Sequence, residues 1–483
     1  MVGHRPGRPR PAHGGARMNR GTRTFDLVIR GGSVTSDGRT EVADVAIRSG
    51  RIAQVGGHPL GARVIDARGR PVLPGGVDAH VHLTAIRELK PGDAVRPDDF
   101  GSVTEAAAAG GVTTIGTMGH QYPEGLLSEA VDREAEAARG RALVDFFVHP
   151  VLNDPSERAR AEISELARIG QPSVKVFLSF PGFEERAEEY LEALREAGRF
   201  GVRVLVHCED GPMIRRLARW LVEDGRGDAA HYPAAHPEGS EVASVTRAIE
   251  LARAAGAPIY VVRLSSAAAL QICRSARVRG QRVAVETRPM YLHLTRAVFE
   301  EPDAGRYIGN PPVGGEMDQA ALWDGLARGD VDTVCSDHAP WTLEQKLDPS
   351  LDVSSVRPGV AEIETLMPML FSEGVVKRRL PIERFVEVTS TNAARLFGVY
   401  PTKGAIVTGA DADLCLWDPQ ACRQIGGSQM RSRAGYSVYD GWDVQGWPVM
   451  TISRGQVVWE DGEIRGTPGR GRLVSRAPAR ADG

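Results

Sequence analysis

The run Pro-Gly-Gly-Val-Asp-Ala-His-Val-His-Leu, from Pro74 to Leu83, decides how the rest of the chain is read. It is an apolar strand entered from a Pro-Gly-Gly turn. With one residue between them, His80 and His82 point to the same side of an extended strand. Two imidazoles at a strand end can grip one divalent metal, and borderline cations such as Zn²⁺ favour that ligand. The same pair can also be two histidines lining a polar strand end, so the surrounding pattern has to decide.

Outward from this strand the chain alternates between short β patterns and helical ones. Eight β candidates follow one another: Val77–Val81, Val112–Thr117, Val144–Val148, Ser173–Leu178, Val202–Val206, Ile259–Leu264, Arg282–Glu286 and Asp332–Cys335. Helical patterns such as Glu184–Ala197, Gly239–Ala255 and Met317–Ala327 lie between them. This alternation predicts parallel strands with helical crossovers, and eight units over this length suit a closed (β/α)8 barrel. A doubly wound open sheet is the alternative, but no Gly-x-Gly-x-x-Gly follows the first strand.

Further strand patterns stand outside that centre, at Phe25–Arg30, Asp44–Arg48 and Arg51–Val55, and again at Ala412–Trp417, Val449–Ser453 and Gln456–Trp459. We expect the two chain ends to meet in one small β domain, formed by residues 24–73 and 401–465 around a barrel of residues 74–400. Met1 to Arg23, rich in Arg, Gly and Pro, is expected to be a disordered tail, with Met18 an alternative start. Residues 466–483 are expected to be a second disordered tail.

Composition excludes several classes. The chain has 483 residues, 42% hydrophobic and 25% charged, with a formal net charge of -3. That balance argues against nucleic acid or an anionic membrane as partner. No apolar stretch approaches a membrane span. Five scattered cysteines without Cys-x-x-Cys suit a reducing, cytoplasmic setting.

In a barrel of this kind the site lies at the C-terminal ends of the strands. Strand one ends with His80 and His82, strand five with His207 and strand eight with Asp337. Strand four carries Lys175 and strand six Arg263. A random set of polar ends would rarely give three histidines and one aspartate, so the set reads as a metal site. An ammonium within a strand, as at Lys175, is costly unless paired or modified.

At this point the chain resembles the cyclic amidohydrolases: hydantoinases, dihydropyrimidinases and allantoinases. The resemblance rests on Val-Asp-Ala-His-Val-His-Leu, Val-Lys-Val-Phe, Val-His-Cys-Glu-Asp, Leu-Ser-Ser-Ala-Ala-Ala-Leu and Ser-Asp-His-Ala-Pro, in that order. It continues through Leu370 to Gly374 and Gly409 to Leu414. It implies a distorted (β/α)8 TIM barrel beside a β-sandwich built from both chain ends. It also implies a metal site: His80, His82 and Asp337 on a first Zn²⁺, carboxylated Lys175 bridging, and His207 on a second. Asp337 would serve as general base in the opening of a small cyclic amide, imide or ureide. A homotetramer or homodimer is the implied assembly.

The chain departs from that family at four places. Arg263 stands where strand six usually carries a ligating histidine, and a guanidinium offers only donors. One zinc ion per chain rather than two is therefore an open reading, with Arg263 acting as the second cation or gripping a substrate carboxylate. Phe180 replaces a tyrosine that hydantoinases use at the oxyanion. Asn310 stands at a substrate-recognition position usually held by serine. Arg288 replaces a common cysteine, and we expect it to pair with Glu286 or a loop acid. Arg263 and Phe180 together leave a non-catalytic oligomeric scaffold as the alternative function.

Overall fold

The computed structural model describes residues 1, 3, 24–83 and 93–479. The proposed N-terminal tail lies outside these residues except at positions 1 and 3, and residues 480–483 of the second tail also lie outside them.

Eight parallel strands run in sequence order: β6 (Gly76–Val81), β7 (Val112–His120), β8 (Asp145–Val151), β9 (Ser173–Phe177), β10 (Arg203–His207), β11 (Ile259–Val262), β12 (Val283–Thr287) and β13 (Thr333–Val334). Each overlaps one of the eight sequence patterns. Every residue of the eight is buried, as strands covered on both faces must be. The last strand is joined to the first by a parallel bridge between Val81 and His338, with His82 N donating to His338 O at 2.9 Å. The inward residues Val77, Met118, Phe147, Phe177, Leu205, Tyr260 and Val262 fill the barrel as one apolar cluster.

A separate, mostly antiparallel sheet takes β1 (Phe25–Ser36), β2 (Arg39–Arg48), β3 (Arg51–Val55), β4 (Gly61–Asp66) and β5 (Pro71–Pro74) from one chain end. It takes β14 (Leu414–Gln424), β15 (Asp443–Ser453), β16 (Gln456–Glu460) and β17 (Glu463–Ile464) from the other. β14 pairs with β5, so the distant ends share one sheet. Gly75 alone separates β5 from β6. A Cβ there would fall 2.2 Å from Thr113 Oγ1, so only glycine lets the chain pass from sheet to barrel.

The second tail is not disordered over its described part. Residues 466–479 run along the N-terminal end of the barrel. Phe146 N donates to Arg472 O at 2.9 Å, Val474 N to Phe146 O at 2.7 Å, and Ala479 N to Gly201 O at 2.8 Å. The Arg476 guanidinium is buried over the Phe147 ring and donates to Val148 O and Ser173 Oγ. The composition of this segment is that of a polar tail. Its order comes from backbone groups of β8 that it pairs and covers.

Candidate metal centre

The strand-end residues meet at the C-terminal mouth of the barrel. His80 Nε2 and His82 Nε2 are 3.2 Å apart. Asp337 Oδ1 lies 3.2 Å from the first and 3.1 Å from the second. Ligands held at 2.0–2.1 Å around a tetrahedral Zn²⁺ sit about 3.3 Å from one another, so this triangle has the size of one face of such a site. Three groups that can offer lone pairs converge there, an arrangement that favours a cation, and in this structure the Arg263 guanidinium supplies one.

Local hydrogen bonds explain why the motifs fold this way. Asp78 Oδ1 accepts from Ser336 N at 3.1 Å and from His80 N at 3.3 Å, and Ser336 Oγ donates to Asp78 Oδ2. Asp78 thus ties strand one to strand eight and sets Asp337 against the histidines. Asp337 has φ 49° and Arg263 φ 57°. Two non-glycine residues in the left-handed region at one site are strain held by surrounding structure. Elsewhere, Asp210 and Ser266 cap the helices Gly211–Glu223 and Ala267–Val278, which accounts for those polar motif residues without chemistry.

Glu286, at the end of β12, completes the first histidine. Its Oε1 lies 2.7 Å from His80 Nδ1. Burial pushes the Glu286 carboxyl up to about 8, and burial together with nearby Lys175 draws His80 well below its ordinary value. A cation at Nε2 would fix the shared proton on Nδ1 and the charge on Glu286, the usual carboxylate–histidine support of a metal ligand.

Arg263 enters this same triangle. One guanidinium nitrogen, Nη2, lies 2.5 Å from Asp337 Oδ1 and donates to His82 Nε2 at 2.7 Å. Arg288 is wholly buried and pairs with the other Asp337 oxygen at 3.0 Å and with Glu362 at 2.9 Å. Of the two partners expected for Arg288, Glu286 or a loop acid, the structure gives the loop acid Glu362, together with Asp337, because Glu286 is turned to His80. Burial alone would raise the Asp337 carboxyl, but the Arg263 and Arg288 charges hold it well below the usual range.

Lys175 Nζ is buried with no hydrogen-bond partner, 4.7 Å from the centre of the Phe177 ring. Burial and the Arg263 charge lower it well below an ordinary lysine. His207 does not join the triangle. Its Nε2 is 2.9 Å from Glu209 Oε2, while Nδ1 is buried without a partner. Glu209 also binds His236 Nδ1 at 2.7 Å. Phe180 stacks on Phe177 with ring centres 4.4 Å apart. Asn310 Oδ1 accepts from the Tyr232 hydroxyl.

Sequence reasoning missed Glu286, Glu209 and His120. All three lie at or just beyond the C-terminal ends of β12, β10 and β7, so the strand-end criterion applied to every polar residue would have found them. Arg96 and Glu362 come from loops without periodicity and carried no signal.

Comparison with known proteins agrees with this architecture. A profile of the amidohydrolase family matches residues 72–458. The D-hydantoinase of Rhizobium radiobacter is 34% identical over 458 residues, covering 94% of this chain and 99% of that protein. The D-phenylhydantoinase of Escherichia coli O9:H4 is 35% identical over 461 residues, covering 94% and 98%. The crystal structure of D-hydantoinase from Bacillus sp. AR9 superposes with a TM-score of 0.90 at 33% identity, over 94% of this chain and all of that one. Dihydropyrimidinase from Brevibacillus agri gives 0.89 at 33% identity, over 94% and 99%. The fold and mouth are those of a barrel hydrolase. The chain belongs to the amidohydrolase family, in its cyclic-amide branch of hydantoinases and dihydropyrimidinases.

Proposed function

We propose that this chain hydrolyses a C–N bond of a cyclic amide, imide or ureide, as a metal-dependent hydantoinase or dihydropyrimidinase would. The carrying observation is the triangle of His80 Nε2, His82 Nε2 and Asp337 Oδ1, 3.1–3.2 Å on each side, on this scaffold.

His80, His82 and Asp337 would hold a divalent ion, Zn²⁺ by their donor chemistry. Carboxylated Lys175 and His207 would hold a second ion if one binds; the unpartnered Lys175 Nζ and His207 Nδ1 support that role. When bound, the metal supplies Lewis acidity, acidifying water and polarising a carbonyl. One ion per chain is the reading we favour, because Arg263 adds a fixed positive charge where the family has a ligand.

The protein's own groups do the rest. Asp337 carries the proton to the leaving nitrogen. While Arg263 and Arg288 both grip it, Asp337 is a weak base, so Arg263 must leave Oδ1 for the site to work. The stacked Phe177 and Phe180 rings form a wall that excludes water from the reacting bond. With Oδ1 held by Tyr232, Asn310 offers its amide N–H groups to a ring carbonyl. No helix among the described residues is long and apolar enough to cross a membrane, and all five cysteines are free, which supports a cytoplasmic enzyme. A homodimer or homotetramer belongs to the same proposal.

The test is metal content per chain after expression with zinc and bicarbonate, followed by ring-opening assays on hydantoins, dihydropyrimidines, allantoin and dihydroorotate. One ion and turnover of a ring support the reading, and two ions support the binuclear form. Arg263 already supplies a cation to the triangle, which favours the non-catalytic scaffold as second reading; no metal and no turnover would select it.

A further inference from the structure

We infer that Arg476 is a positioning residue for the metal centre: through Ser173 and His149 it holds the bulge in β6 that aims His80. This inference rests on the proposed role of His80 as a metal ligand.

The bulge is visible in the register of the first two barrel strands. β6 advances three residues from Asp78 to Val81 while β7 advances two, from Ile115 to Thr117. One extra residue therefore sits beside His80, and such a bulge disrupts the ladder and turns the neighbouring side chain. The Ala79 carbonyl is met by His149, whose Nε2 reaches across β7 to lie 3.1 Å from it. At the crossing β7 carries Gly116. A Cβ there would fall 2.8 Å from Ala79 O and 2.9 Å from His149 Nε2, so glycine leaves the contact open.

The directions of the bonds are set from the far end. Arg476 Nη2 donates to Ser173 Oγ at 2.7 Å, since a guanidinium has no acceptor. Ser173 Oγ lies 2.7 Å from His149 Nδ1. Burial and the Arg476 charge draw His149 well below its ordinary value, so the ring carries one proton. Ala79 O can only accept, which places that proton on Nε2. Nδ1 then accepts from the Ser173 hydroxyl. The segment docked beneath the barrel is thus linked, through two buried side chains, to the residue before His80.

Arg476 is buried, and no acid among the described residues pairs with it. Docking the segment would not by itself require a charge there, because an apolar side chain of similar volume packs at lower cost. What the guanidinium adds is donation: it turns the Ser173 hydroxyl proton toward His149.

The test combines chelator competition for Zn²⁺ with ¹⁵N spectra of histidine-labelled protein, on native full-length chain, Arg476→Met, Ser173→Ala and the double variant. Melting curves establish that each is folded. Native His149 should show the Nε2–H tautomer, and either variant should lose that preference. Each single variant should bind Zn²⁺ about 10-fold more weakly, as loss of support behind a ligand does. The double variant should lose about the same 10-fold, not about 100-fold, because both changes break one chain of bonds. Arg472→Met, at an exposed position of the same segment, should leave affinity and tautomer unchanged. Additive losses, unchanged affinity in both single variants, or a native Nδ1–H tautomer would overturn the inference. If the native protein binds no Zn²⁺, the metal reading fails and the His80 ring signals decide. Signals shifted alike in Arg476→Met and Ser173→Ala retain the positioning role, and unmoved signals reject it.

Discussion

Replacing Arg263 by methionine should tighten binding of the first metal ion. In the metal-free protein Arg263 Nη2 makes two charge-assisted contacts that a metal must break, 2.5 Å to Asp337 Oδ1 and 2.7 Å to His82 Nε2. Hydrogen bonds to charged groups contribute about 1.5–3 kcal/mol each, so the metal must overcome roughly 3–6 kcal/mol at these two atoms. At about 1.4 kcal/mol per factor of ten, Arg263→Met should bind one equivalent of Zn²⁺ roughly 10²- to 10⁴-fold more tightly. Methionine keeps the apolar stem, so packing changes little. The assay is competition with a chromophoric chelator on stripped protein, at fixed pH and salt, with melting curves to show that both proteins are folded. Equal or weaker affinity in the variant would show that the guanidinium does not compete for the triangle, and the reasoning on Arg263 would fall. Arg263→His, which replaces the donor by a potential ligand, should instead raise the stoichiometry to two ions in the presence of bicarbonate.

Other perturbations test separate parts of the molecule. Glu286→Gln should weaken the first metal by roughly 10- to 100-fold, because His80 Nδ1 loses its carboxylate; unchanged affinity in the chelator assay would detach Glu286 from the site. Ending the chain after Arg465 removes seven backbone bonds to the barrel floor, donated by Phe146 N, Gly469 N, Gly471 N, Val474 N, Arg476 N, Ala477 N and Ala479 N. At about 0.5–1.5 kcal/mol each, that should lower stability by about 4–10 kcal/mol, and an unmoved urea midpoint would contradict the docked segment. Burial raises the Glu364 carboxyl from 4.5 to about 7, so its folded form prefers the proton. The group costs nothing below pH 4.5, costs progressively more from there to pH 7, and its full cost is reached above that. Glu364→Gln should therefore stabilise the protein by about 3 kcal/mol at pH 8 and by little at pH 4. A difference independent of pH would refute that assignment.

All eight barrel strands were legible in the sequence because parallel strands buried on both faces are continuous apolar runs, and these are separated by amphipathic helices. β4 and β5 were not. Gly61–Asp66 is largely exposed and has no alternation to read, and Pro71–Pro74 is too short to show a period. The disorder expected of residues 466–479 failed for a related reason: their composition is polar, but their order comes from hydrogen bonds to β8 and to Gly170, Gly201 and Gly398 that local sequence cannot express.

The site divides along the same line. His80, His82 and Asp337 could be singled out because each stands at or just beyond the end of an apolar strand, and barrel geometry brings such ends to one mouth whatever the loops do. By itself the sequence determined the barrel, the candidate ligands and the anomaly at Arg263. Only the tertiary structure decided where the charges go: Arg263 to Asp337 and His82, Arg288 to Asp337 and Glu362, and Glu286 to His80. Periodicity places a residue on a face, but ion pairing depends on distances of a few ångströms between side chains up to 257 positions apart, as with His80 and Asp337. Such distances are set by how eight strands close on one another.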